Sequence, residues 1–70
     1  MTAEIAIFAG RYNLGASVAY VLPALFERTA QMAGITARAM VSRATYDSAL
    51  GEYLASAARK VAAEDGAVLS

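Results

Sequence analysis

Enzyme chemistry needs side chains that move a proton, bind a metal or attack a bond, and this chain carries few of them. Its hydroxyl candidates are Ser17, Ser42, Ser48 and Ser56, and its carboxylate candidates are Asp47, Glu52, Glu64 and Asp65. A serine nucleophile needs a base beside it, most often an imidazole, and the sequence contains no His. General acid–base work needs a group tuned near neutrality, and these carboxylates fall on the backs of helical stripes, where water solvates them. With no Cys and no His, the common zinc and haem ligand sets are missing. Scattered carboxylates do not replace them. Gly10 and Gly15 do not follow the pattern of a phosphate-cradling loop. The expectation is a protein that is not an enzyme, with no catalytic residue, no metal and no cofactor.

A second chemistry is recognition of nucleic acid. The stretch "TAQMAGITARAMVSRAT", residues 29–45, looks like the punctuation of a repressor-type helix-turn-helix. Such a motif needs a small residue where the helices cross, a left-handed turn residue four positions later, an apolar residue directly after it and another about five positions on. Ala30, Gly34, Ile35 and Met40 occupy those places. Arg38, Ser42 and Arg43 would then face outward as DNA-reading residues, and Arg is the commonest specific reader of guanine.

Three observations weigh against that reading. The motif normally has an apolar residue where Arg43 falls. The supposed reading helix is mostly Ala, Met and Val, with few polar groups for base edges. Between Glu27 and Thr45, three Arg stand against one Glu, a surplus of two that attracts phosphates only weakly without dimerisation. A plain helical hairpin explains the same residues: Gly34 ends one helix, Thr36 caps the next, and Ala30 permits close packing.

The 70 residues can make one domain. A chain this short buries a small fraction of its surface and sits near the limit of independent stability. Small domains usually add a disulfide, a metal or a partner; only the partner remains here. Six basic and six acidic side chains cancel, whereas a free-standing nucleic-acid binder usually carries a basic excess. Eighteen residues are Ala, the best helix former. Hydrophobic content is 59%, which separates the chain from disordered compositions. The N-terminus "MTAEIAIFAG" lacks the early positive charge of a secretory signal.

The elements follow from spacing. Residues 1–13 form an arm of uncertain type: Ile5 and Ile7 alternate with Ala as in a strand, but the Ala-rich setting favours helix over residues 4–9. Gly10, Asn13 and Gly15 are turn formers. From Leu14 to Ala33 the pattern is an apolar helical stretch, with Leu14, Val18, Val21 and Leu25 on one stripe. Pro23 either kinks it or opens a new helix at its first position. Leu22, Leu25, Phe26, Thr29 and Ala33 share the next face. Gly34 suits a helix stop and Thr36 an N-cap.

The second half spans residues 36–64. Ala37, Met40, Val41 and Ala44 share a face, and a stripe out of phase with it follows: Tyr46, Leu50, Tyr53, Leu54, Ala57, Ala58 and Val61. The phase change predicts a break near residues 45–48, capped by Asp47 or Ser48. Asp47 and Glu52 near the new start, and Arg59 and Lys60 near the end, suit the helix dipole. Gly66 is expected to stop the last helix, leaving residues 66–70 as a frayed tail.

Residues 5–26 are long enough to cross a bilayer, which takes roughly 20 apolar residues. Arg11 and Asn13 sit near the middle of that span, where a charge is costly, and no Lys or Arg cluster flanks it. The Gly15–Ala19 pair serves close helix contact in a membrane or in a soluble bundle. Tyr46 and Tyr53, one heptad apart, read either as a core stripe with hydroxyls at its edge or as a partner-facing surface.

The sequence therefore predicts an all-α bundle or hairpin of three to four helices, near residues 14–22, 23–33, 36–45 and 47–64, completed by oligomerisation or docking. The expected function is that of a small cytoplasmic interaction protein, a homo-oligomer or an accessory subunit of a larger protein complex. Leu14, Val18, Val21, Leu25, Tyr46, Leu50, Tyr53 and Leu54 are its expected contact residues with itself or that larger protein. A helix-turn-helix regulator over residues 29–45 is the alternative, and a membrane-associated subunit through residues 5–26 is a third.

Overall fold

The computed structural model describes residues 1–69; Ser70, the end of the expected tail, lies outside the described residues. Among the described residues, five helices follow one another: α1 (Ala3–Arg11), α2 (Ala16–Ala19), α3 (Leu22–Ala33), α4 (Ala37–Tyr46) and α5 (Ser48–Leu69). No strand occurs among the described residues, so the all-α architecture holds and the arm is helical. Thr2 caps α1, its hydroxyl accepting the Ile5 amide at 3.3 Å. α1 ends because Asn13 turns left-handed at φ 57°, a conformation that Asn tolerates better than most residues.

The apolar stretch at residues 14–33 is not one kinked helix. α2 is a single turn, and the chain bends through Tyr20 and Val21 before α3 begins with Pro23 in its first turn. Proline is tolerated there because its missing amide would have had no partner inside the helix. Residues 5–26 are thus divided among three helices. No helix among the described residues is long and apolar enough to cross a membrane.

α3 stops at Gly34, left-handed at φ 72°, and the Ile35 amide bonds back to the Ala30 carbonyl at 3.0 Å. Thr36 caps α4 through a 3.1 Å bond from the Ala39 amide. The chain breaks where the two stripes change phase: Asp47 is extended, and its carboxylate accepts the Leu50 amide at 3.2 Å. Gly66 does not stop α5, which runs to Leu69. A helical glycine costs only about 1 kcal/mol relative to Ala, too little by itself to end a helix.

α4 packs on α1, α3 and α5, and α5 also carries α2 and α3. The centre is aromatic and aliphatic: Phe8, Leu22, Phe26 and Leu54 are fully buried. The Phe8 and Phe26 rings meet edge to face at 5.1 Å, the arrangement that ring quadrupoles prefer. On α4, Met40, Val41 and Ala44 are buried and Ala37 half-buried, as the stripe predicts.

Two faces differ from expectation. On α3, Ala30 is buried in place of the expected Ala33, which is exposed. On α5, the buried stripe is Gly51, Leu54, Ala55, Ala58 and Ala62, about 90° round the helix from the expected one. Tyr46, Tyr53 and Val61 are left outside it. The cause is distance between helices. A β-carbon placed on Gly51 would fall 2.7 Å from the Ala44 carbonyl oxygen and would strike the Tyr12 hydroxyl. Only small side chains fit that crossing, so α5 turns its Gly and Ala residues inward.

Candidate interaction surfaces

The polar groups of the chain are largely used to finish helices. Arg11, at the end of α1, donates to the Thr45 carbonyl in the last turn of α4 at 2.7 Å. Arg59 of α5 donates to the carbonyl of Tyr12, the residue capping α1, at 3.3 Å. Both place a cation at the negative end of a helix dipole. Thr29 and Thr45 return their hydroxyls to carbonyls one turn back. No polar or charged side chain is buried among the described residues.

Among the described residues, surface grooves lie between α1 and α4 and between α3 and α5. The first runs between α1 and α4, in two adjoining hollows of about 270 and 310 Å³ that share Glu4, Arg38 and Val41. Ile7, Ser42, Thr45 and Tyr46 extend it at one end. Ile7 and Tyr46 are 59% and 88% exposed, so apolar surface flanks the expected reading residues. Arg38, Ser42 and Arg43 are all exposed on α4. The punctuation of the expected motif is in place: Ala30 is 1% exposed, Gly34 is left-handed and Met40 is buried. Ile35 departs from it at 40% exposed. The surrounding charge is thin, because Glu4 shares the Arg38 groove and Asp47 follows the end of α4.

The second groove, about 380 Å³, lies between α3 and α5 and is lined by Tyr20, Val21, Ala24, Leu25, Arg28, Val61 and Asp65. Two helices and the bend before α3 build it. Tyr20 donates its hydroxyl to the Asp65 carboxylate at 2.6 Å, tying that bend to α5. This bond, with lesser contributions from desolvation and from the Asp65 charge, raises the Tyr20 pKa.

The expected contact residues are divided by the fold. Leu14, Val21 and Leu54 are buried in the chain's own core. Val18, Leu25 and Leu50 are half-buried at its margin. Tyr46 and Tyr53 are 88% and 67% exposed, which excludes the core-stripe reading of the tyrosines. Sequence reasoning misses Tyr20 and the Arg28–Asp65 groove. Arg28 falls off the apolar face of its helix, and the 45-residue separation of Tyr20 from Asp65 leaves no local signal. Comparison with family models, curated proteins and solved structures finds no match to this chain.

Proposed function

We propose that this chain is a non-catalytic helical interaction protein of the cytoplasm, acting as a homo-oligomer or as an accessory subunit of a larger protein complex. The observation carrying this reading is the apolar surface left outside a finished core. Ile7, Tyr20, Met32, Tyr46, Tyr53 and Val61 are all 41–88% exposed. Single exposed apolar residues are ordinary. Here, however, Ile7 and Tyr46 line one groove and Tyr20 and Val61 the other. Grooves with aromatic and Arg margins have the composition that protein interfaces favour.

The runner-up is a small helix-turn-helix regulator, favoured by the left-handed Gly34 between α3 and α4 and by the exposed Arg38, Ser42 and Arg43. A mobility-shift titration at low salt separates the two. An interaction protein gives no salt-sensitive duplex binding. A tight shift that weakens steeply with salt, and that is lost in the Arg38→Ala/Arg43→Ala variant with its helicity intact, would overturn the proposal and favour the regulator.

A further inference from the structure

The groove between α3 and α5 has a direction. Asp65 holds the Tyr20 hydroxyl, so the acidic end lies beside the bend that opens α3. Val61 is one turn earlier on α5, and Ala24 is one turn further along α3; both line the middle. Arg28, another turn on, lines the opposite end. The groove therefore runs from a carboxylate through an apolar centre to a guanidinium, about two helical turns or roughly 10 Å apart along α3.

A surface with its two charges at opposite ends is complementary to itself under a two-fold rotation. Resting on the interaction reading above, we propose that this groove is the seat of a second copy of the chain, docked antiparallel so that each Arg28 meets the partner copy's Asp65 across the paired apolar centres. A two-fold interface requires this reciprocity, because each contact occurs twice with the roles exchanged. The carboxylate has capacity for both neighbours: Oδ2 takes the Tyr20 hydroxyl, leaving Oδ1 for the guanidinium. A standard interface covers about 800 Å² per partner, about one sixth of the 4656 Å² surface. Ala24 adds a small side chain at the centre, where two α3 helices would approach.

Charge reversal tests the pairing. Arg28→Glu and Asp65→Lys should each weaken self-association about tenfold or more, since each places like charges together twice per dimer. Mixing the two variants should restore it as a one-to-one heterodimer. At one end of that interface the introduced carboxylate faces the introduced ammonium, and at the other the unaltered Arg28 faces the unaltered Asp65. Circular dichroism confirms that each variant is folded. Tyr20→Phe removes the hydroxyl bond to Asp65 without changing charge and should still dimerise. Sedimentation of each protein and of the mixture reads the outcome. A dimer that survives both single reversals, or a mixture that stays monomeric, overturns the assignment of this face while leaving self-association standing. An unmodified chain that is monomeric alone overturns the second copy as occupant, and leaves the accessory-subunit form of the interaction reading to be tested on a larger partner.

Discussion

Replacing Gly51 with Ala sets two opposed effects against each other, and the structure decides the sign. In the interior of a helix, Gly→Ala ordinarily stabilises by about 0.5–1 kcal/mol, because glycine loses more backbone freedom on folding. At Gly51 the new methyl would lie 2.7 Å from the Ala44 carbonyl oxygen and would collide with the Tyr12 hydroxyl. The Tyr12 ring is packed on Phe8 at a centroid distance of 4.9 Å, and the Ala44 oxygen belongs to a packed helix, so neither gives way freely. Overfilling of this kind costs about 1–3 kcal/mol. The net expectation is a loss of about 1–2 kcal/mol, a Tm lower by about 4–16 °C for a domain of this size. Gly10 and Gly66 supply the internal control. Both are helical, and a methyl on either meets nothing within 4 Å. Gly10→Ala and Gly66→Ala, each in the last turn of its helix, should both raise stability by up to about 0.5 kcal/mol. Urea titration of the three variants measures the comparison. If Gly51→Ala stabilises as Gly10→Ala does, α4 and α5 do not cross this closely, and the explanation of the inward small-residue stripe is wrong.

Further expectations follow from burial and from the Tyr20 bond. Leu54 is fully buried, so Leu54→Ala should cost about 2–5 kcal/mol, the half-buried Leu50 clearly less, and the exposed Tyr53→Ala should stay within about 0.5 kcal/mol in dilute solution. Equal losses at Leu54 and Tyr53 would restore the helical phase that the structure rejects. The neutral Tyr20 hydroxyl donates to Asp65, and its pKa lies above the ordinary value of 10.0. Its contribution to stability is therefore complete below about pH 10 and is lost as pH rises through the elevated folded value. Ultraviolet titration should show a tyrosine step above the ordinary value of 10.0, and Tyr20→Phe should remove that late step. A late step that persists in Tyr20→Phe belongs to another tyrosine.

The parts of this fold legible in the sequence are those decided by one or two adjacent residues. Gly34 marks a left-handed stop because few other residues adopt that conformation readily. Thr36 and Asp47 mark caps because their short oxygen-bearing side chains reach amides within the next turn. The phase change between the two stripes locates the α4–α5 break. Less legible is anything set by the distance between helices. Gly51, Ala55 and Ala62 carry little apolar area, so a search for the largest hydrophobic stripe places Tyr46, Tyr53 and Val61 on the inner face. The close α4–α5 approach reverses that preference. The same holds for the surface: the α3–α5 groove pairs residues far apart in sequence, and no local spacing foretells that Tyr20 meets Asp65. The bend at Tyr20–Val21 is visible only as the two choices Pro23 allows.

In the proposed function, the chain's exposed apolar faces are covered by protein. The most direct measurement is the native mass of the untagged chain in its own cell extract and, once purified, across micromolar concentrations. The 7.3 kDa chain should sediment as a dimer or larger species, or travel in stoichiometric amount with one larger protein. A 7.3 kDa particle at every concentration and in the extract, melting cooperatively with Ile7, Tyr46 and Val61 open to solvent, would contradict it.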